Sequence, residues 1–323
     1  MKSVNWGIIG CGDVTEVKSG PAFHKVENSR LVAVMRRNGE LAKDYAKRHH
    51  VPKWYNDADV LIADPEINAV YIATPPSSHK EYTIKAAKIG KPVYVEKPMA
   101  THYNDCLSMI EICQEKKVPL FVAYYRRTLP RFLKIKSLLE ENVIGKIRTV
   151  NIFFYQSPSQ KDLNGEKHWR VNPQIAGGGY FYDLASHMFD LLQYYLGDIE
   201  FANGHHSNQM GLYEAEDTVS AIFTFTSGIL GTGIWNFCAY DDLDRTEIVG
   251  DRGRITYATF ANDPIILETK TYRKELSIAH PDHVQQPLIQ TVVNDLLGKA
   301  KCPSTGITAA KTNRILDLIL GKI

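Results

Sequence analysis

The sequence predicts an α/β chain of two domains, a doubly wound parallel sheet first and an α+β domain with a second sheet after it. Two observations carry this. Through residue 123 short apolar runs alternate with helical patterns, and beyond it the segments become turn-punctuated and alternate in character. A chain of 323 residues also exceeds what one hydrophobic core usually organises, and the change of rhythm divides it into 1–123 and 124–323.

Strand is expected at 4–9, followed directly by glycines and a helical stretch ending near Glu27-Asn28. A second strand at 30–35 precedes a helix over 39–48. A buried strand at 69–73 runs into Thr74-Pro75-Pro76, the next lies at 93–95, and one at 120–123 follows a helix over 104–116. Each is short and mostly apolar, as in a parallel sheet wrapped by helices, and such a sheet binds ligands at the carboxyl ends of its strands. After a helix over 130–141, strands are expected at 147–155, 218–226, 229–236, 246–249 and 254–257. Turns such as Ser227-Gly228 and Asp251-Arg252-Gly253 join most of them, which predicts an antiparallel or mixed sheet. A long helix over 180–196 interrupts the strands, and helices over 286–297 and 307–320 close the chain.

Apolar residues at 44% and charged residues at 23% are the proportions of a globular chain, not a disordered one. With 38 basic against 36 acidic residues there is no whole-molecule field to attract nucleic acid or an anionic membrane, so the expected partner is a small molecule. No apolar run approaches the roughly 20 residues of a membrane helix. The first residues enter a strand at once, leaving no room for a signal peptide, so a soluble cytoplasmic protein is expected. Cys11, Cys106, Cys113, Cys238 and Cys302 are scattered and odd in number, which points to neither a disulfide framework nor a metal site.

Gly10-Cys11-Gly12-Asp13-Val14-Thr15 follows the first strand and opens a helix. Glycines there permit a tight turn and let a pyrophosphate approach the free N–H groups of the helix start, so Gly10, Gly12, Asp13 and Val14 are candidate cofactor residues of a dinucleotide-binding Rossmann domain. Thr15 stands where the fingerprint usually has its third glycine. The second strand ends in Arg36-Arg37-Asn38, where NAD-preferring domains place a carboxylate on the ribose diol. Arginine suits a 2′-phosphate and selects NADP over NAD; the other reading stacks one guanidinium on adenine. Glu96-Lys97-Pro98 closes another parallel strand, and a lysine there can bond a substrate oxygen or help transfer a proton. Asp183, His187 and Asp190 lie on one face of the long helix after Gly177-Gly178-Gly179, so a carboxylate can orient an imidazole that exchanges a proton with a hydroxyl. The alternative is a core histidine satisfied by an aspartate.

Taken together, Gly10-Cys11-Gly12, Ala73-Thr74-Pro75 with His79, Glu96-Lys97-Pro98, Tyr125-Arg126-Arg127, Trp169-Arg170 and the triple glycine with Asp183 and His187 resemble the glucose-fructose oxidoreductase, inositol dehydrogenase and MocA family. The resemblance runs in order through Glu247-Ile248-Val249-Gly250 and Gly253. It implies a Rossmann domain followed by an open, mainly antiparallel sheet that often forms oligomer contacts, so a homodimer or homotetramer is expected. It also implies hydride exchange between NAD or NADP and a sugar, cyclitol or polyol carbon. Lys97 and His187 would be the catalytic pair, with Asp183 binding substrate or orienting the histidine. Thr74, Pro75, His79 and Glu96 would line the cofactor together with Arg36, Arg37 and Lys97, and the bond before Pro98 is a candidate cis peptide. Trp169 and Arg170 would lie near the substrate, with Tyr125 and Arg126 beside them. The same fold-level analogy leaves open a glycoside-cleaving enzyme that oxidises transiently, and a non-catalytic nucleotide-binding regulator.

Overall fold

A computed structural model describes residues 2–323. The chain gathers into two compact units: one runs to Leu129 and takes in Pro281–Ala310, the other holds Pro130–His280 and Lys311–Ile323. The return of Pro281–Ala310 is anchored by long-range bonds. Gln285 donates to Glu96 at 2.6 Å, and Arg127 donates to the Pro303 carbonyl at 2.8 Å. A single boundary at 123/124 does not describe this return, because nothing in a terminal helical pattern tells which core it covers.

In the first unit β1 (Val4–Ile9) leads to α1 (Asp13–Val17) and α2 (Ala22–Lys25), then β2 (Ser29–Met35), α3 (Gly39–Arg48), β3 (Lys53–Tyr55) and α4 (Ala58–Ala63). β4 (Ala69–Ile72), α5 (His79–Lys88), β5 (Val93–Val95), α6 (Tyr103–Glu115) and β6 (Leu120–Val122) follow. All neighbours pair in parallel, in the order β3-β2-β1-β4-β5-β6. That is the order of the dinucleotide-binding sheet, with its switch of direction between β1 and β4. β4 divides its side chains between the two faces. Val70 and Ile72 enter the aliphatic core with Ala86, Met109 and Val93. Tyr71 turns the other way, into a run of rings in which Trp6 and Phe23 are 5.0 Å apart, Phe23 and Tyr71 5.3 Å, and Tyr71 and Tyr94 4.9 Å.

The second unit contains α7 (Pro130–Glu140), β7 (Ile147–Tyr155), two short helices α8 (Gln160–Leu163) and α9 (Pro173–Ala176), and the long α10 (Tyr180–Leu196). Strands β8 (Ile199–Ser207), β9 (Thr218–Phe225), β10 (Leu230–Asn236), β11 (Leu243–Gly250), β12 (Gly253–Tyr257), β13 (Ile265–Thr269) and β14 (Arg273–Leu276) complete it. They form one sheet in the order β14-β13-β12-β11-β7-β10-β9-β8, antiparallel except where β10 runs parallel to β7. Its inner face packs on α10. Phe223 meets Phe189 edge-on at 5.3 Å, Trp235 meets Phe181 at 5.0 Å, and the Trp235 indole donates to the Met188 sulfur at 3.2 Å. Two last helices, α11 (Gln286–Leu296) and α12 (Gly306–Ile319), end the chain. α11 belongs to the first unit, and α12 crosses the division after Ala310.

The sequence pattern misses β3, β8, β13 and β14, each for a local reason. β3 is three residues long, too short for a period to appear. Asn203-Gly204 inside β8 reads as a turn, yet the strand pairs with β9 on both sides of it. β14 is Arg-Lys-Glu-Leu, with no apolar alternation, and β13 before it has an outer face that ends in Glu268, which bonds Arg254 at 2.6 Å. A charged terminal strand of this kind blunts the sheet edge.

Candidate active site

β1 delivers the chain to Gly10, whose φ of 91° lies in the left-handed region. A β-carbon there would stand 2.7 Å from the Thr74 methyl and 3.0 Å from its nitrogen, so glycine is required where β1 and β4 end side by side. At Gly12, which caps α1, the nearest atom to a β-carbon would be the Gly10 carbonyl oxygen, 3.9 Å away. That leaves room for a phosphate to approach the amides next to Asp13 and Val14. Thr15 is buried and its hydroxyl donates to the Gly12 carbonyl at 2.8 Å, while its own carbonyl accepts from Tyr45 at 2.7 Å. The side chain that replaces glycine therefore ties the turn down. Arg36 and Arg37 are exposed after β2, and among the described residues neither makes an ion pair. Asn38 is occupied in capping α3, accepting from Glu40 and Leu41.

β4 ends at Thr74 and Pro75, where the Ser78 hydroxyl donates to the Thr74 hydroxyl at 2.7 Å. His79 is fully buried. Its Nε2 faces the Thr74 carbonyl at 2.7 Å and its Nδ1 faces the carbonyls of Pro98 and Met99 at 3.1 and 3.2 Å. With both nitrogens facing protein carbonyls, His79 joins the turn after β4 to the turn after β5. At the end of β5 the buried Glu96 carboxylate accepts from Tyr71, from Gln285 at 2.6 Å and from the Lys97 amide at 3.2 Å. The Lys97–Pro98 bond is cis, as the resemblance implies, and Lys97 is half-buried. Tyr125 and Arg126 are buried in the 3₁₀ turn after β6, with the guanidinium 5.2 Å from the tyrosine ring centre. The first unit thus gathers Gly10, Gly12, Thr74, Pro75, Glu96 and Lys97 at the carboxyl ends of β1, β4 and β5.

In the second unit Gly178 and Gly179 are a packing device. A β-carbon on Gly179 would stand 2.7 Å from that of Ala215, and one on Gly178 would stand 3.0 Å from Glu216 Oε1, whose carboxylate accepts from the Gly179 amide at 2.9 Å. This close approach starts α10 and sets Asp183 in its first turn. Arg170 stacks 4.5 Å over Trp169 and points Nε at the Asp183 carboxylate from 3.7 Å, half exposed while Asp183 is largely buried. One turn on, His187 is 3% exposed and meets Phe260 edge-on at 5.8 Å. Trp169, Arg170, Asp183 and His187 therefore come from one unit and share the neighbourhood of the α10 start.

A family model described as an oxidoreductase family with an NAD-binding Rossmann fold matches residues 4–124, and the GFO/IDH/MocA C-terminal domain matches residues 132–256. The chain belongs to the GFO/IDH/MocA oxidoreductase family. Oxidoreductase P35 of Formosa agariphila is 42% identical over 319 residues, 98% of each chain. Myo-inositol 2-dehydrogenase of Thermotoga maritima is 30% identical over 256 residues, covering 77% of this chain and 73% of that protein. A solved levoglucosan dehydrogenase in complex with NADH and levoglucosan superposes with a TM-score of 0.87 over 99% of this chain and 96% of that one, at 23% identity, a likeness of fold.

This family member also carries site-framing residues that no linear pattern announces. Asp162, at the start of α8, accepts from Ser159 at 2.5 Å, Tyr180 at 2.9 Å and His168 at 3.0 Å, and so braces the turn that carries Trp169 and Arg170. Burial acts to raise its carboxyl, but these bonds outweigh it and hold the group below the usual carboxylate range. Tyr180 is pushed up to about 12 by burial and by Asp162. The sequence signal for such a brace was limited to Ser159 three residues before Asp162, a capping box.

Burial lowers the His79 pKa from 6.5 to about 4, against the pull of its three carbonyl partners. A histidine depressed in the folded state contributes stability above its unfolded pKa and loses it as pH falls toward the folded value. The parent should therefore lose about 3 kcal/mol between pH 6.5 and 4 that a His79→Gln variant does not lose. Urea unfolding of both proteins across that window measures the difference in slope, and parallel curves would refute it.

Proposed function

We propose that the chain is an NAD(P)-dependent dehydrogenase or reductase that interconverts a secondary hydroxyl and a carbonyl on a sugar-like, cyclitol or polyol substrate, with NADP preferred. The observation that carries this reading is Lys97 at the carboxyl end of β5, on the edge where a doubly wound sheet takes its ligand, in a member of an NAD-binding oxidoreductase family. The room above Gly12 and the exposed Arg36 and Arg37 suit a phosphorylated dinucleotide. Held there, the dinucleotide supplies or accepts hydride at its nicotinamide ring. Gly10, Gly12, Asp13 and Val14 would receive the pyrophosphate, and Thr74, Pro75 and Glu96 would flank the nicotinamide half. Relatives named for levoglucosan and myo-inositol support a carbohydrate-like substrate.

In the reductive direction negative charge develops on the substrate oxygen. One of Lys97 and His187 gives it a proton and the other stabilises its charge, while Asp183, Arg170 and Trp169 orient the remaining hydroxyls. Tyr125 and Arg126 are further substrate neighbours. The test is a panel of sugars, polyols and dicarbonyl sugars, assayed with both cofactors by the absorbance of the reduced nicotinamide. On the best substrate, Lys97→Met and His187→Ala should each lower kcat by about 10²-fold or more while cofactor still binds. Near-parent turnover in either variant removes that residue from the assignment.

Cofactor choice rests on Arg36 and Arg37. A guanidinium can bond a 2′-phosphate with charge assistance where NAD offers only a hydroxyl. Loss of the arginine that reads it should weaken NADP binding about tenfold or more and leave NAD nearly unchanged. Dissociation constants for both cofactors with Arg36→Ala and Arg37→Ala decide the matter, since equal losses would mean stacking on adenine.

We further propose a homodimer or homotetramer joined through the outer face of the second sheet. Phe223 and Phe225 face α10, while Ile222, Leu230 and Phe201 stand 56%, 61% and 50% exposed on the opposite face, beside half-buried Phe153 and Ile234. Apolar groups exposed together in this way ask for a cover. Light scattering at micromolar concentration should give at least twice the 36.5 kDa chain mass, and a monomer would contradict the assignment.

A further inference from the structure

We propose that Tyr71 and Gln285 are positioning residues, which hold the Glu96 carboxylate for the nicotinamide half of a bound dinucleotide. The inference rests on the reading above that Glu96 lines the cofactor site. It is carried by a closed ring of buried hydrogen bonds within the first unit.

Glu96 is 7% exposed, and a carboxylate so far from water must be met by donors. Its Oε1 takes two, the Tyr71 hydroxyl from β4 and the Gln285 amide from the residue before α11, and its Oε2 takes the Lys97 amide. Gln285 is itself held at both ends. Its side-chain oxygen accepts from the Tyr94 hydroxyl at 2.8 Å, and its backbone N–H donates to the Lys18 carbonyl at 3.1 Å. Ser19, next in the chain, sets its hydroxyl 3.2 Å from the Tyr71 oxygen. The end of α1, which follows the phosphate turn, is thereby joined through Tyr71 and Gln285 to the residue beside Lys97.

This ring has a direction that ordinary packing lacks. In the strand order seen here, β1 to β3 form the half that takes adenosine, and β4 to β6 the half that takes the nicotinamide nucleotide. Glu96 stands in the second half, and both donors to its Oε1 serve it alone among charged groups. Burial and the nearby Glu96 charge raise the Tyr71 and Tyr94 hydroxyls far above the ordinary phenol range, so both keep their protons. Tyr71→Phe keeps the ring against Phe23 and leaves Ser19 its bond to the Val14 carbonyl, and Gln285→Met keeps the backbone bond to Lys18, so the main change falls on the carboxylate, which is freed to turn.

The test compares whole and truncated ligands. NADPH and NADH are titrated by fluorescence, and 2′-phospho-ADP-ribose and ADP-ribose, which lack nicotinamide, by calorimetry, against the parent, Tyr71→Phe and Gln285→Met. Each variant should bind the preferred dinucleotide about tenfold more weakly, hold the matching fragment within about twofold, and lose kcat more than substrate KM changes. A general disturbance of the fold would weaken dinucleotide and fragment alike, and that result overturns the proposal, as does unchanged dinucleotide affinity. Should either variant fail to fold by thermal melting, Tyr94→Phe leaves both donors to Glu96 in place and only loosens Gln285. It should show a smaller loss with the same selectivity, and its absence overturns the proposal. A parent that binds none of the four ligands would instead overturn the functional reading, and the inference with it.

Discussion

A parallel sheet covered by helices on both faces has nowhere to place chemistry except its strand ends. β4 and β5 are buried at every position, and the first groups beyond them able to act on a ligand are Thr74 and Glu96. The same constraint explains Gly10. Strands that stop side by side bring backbone against backbone, and the chain turns there only without a side chain. Polar groups at these ends are still half inside the core, so each must be met. Glu96 is an acceptor surrounded by donors, and His79 is a ring set among acceptors. Burial excludes the charged form of the His79 ring.

The second sheet works under a different constraint. Only one of its faces lies on α10, so its strands alternate, and Phe223 and Phe225 go inward while Ile222 and Thr224 go out. The helix is buried on nearly every side, which leaves Asp183 in its first turn and His187 beyond it as polar groups in a largely apolar surround. The close approach of Gly178 and Gly179 to Ala215 and Glu216 fixes where that helix begins, and with it the height of both side chains. Of the three glycines in a row, Gly177 ends α9 at a φ of 90° and the other two permit the tight packing.

Much of this was legible in the sequence because the relevant physics is local. The helices expected over 39–48 and 180–196 coincide with α3 and α10, where long apolar periods and clear boundaries agree. The glycine turn, the strand-end lysine and the Asp183 and His187 spacing were visible for the same reason. What stayed hidden is set by distance along the chain. Gln285 lies 189 positions from Glu96 and Tyr94 lies 191 from Gln285, so no window contains the ring they form. The role of Asp162 is equally hidden, since His168 and Tyr180 meet it only once the turn between them is folded. The short and charged strands were lost because pairing, and not their own pattern, makes them strands.

The strand ends of the first unit differ in how freely their side chains can change. Arg36 and Arg37 stand exposed with no ion pair among the described residues, so their chemistry is free of structural duty. Glu96 is bonded to β4 through Tyr71 and to the segment that returns from the far end of the chain through Gln285, and His79 joins the turn after β4 to the turn after β5. A substitution at Arg36 or Arg37 therefore breaks no ion pair of the described residues, whereas one at a partner of Glu96 or His79 leaves a buried polar group without its bond, at a cost of about 1 to 3 kcal/mol. Under the function proposed above, preference between cofactors would drift under mutation while the reacting end stays fixed. That asymmetry follows from burial, because only the group that must be dehydrated needs its neighbours to be right.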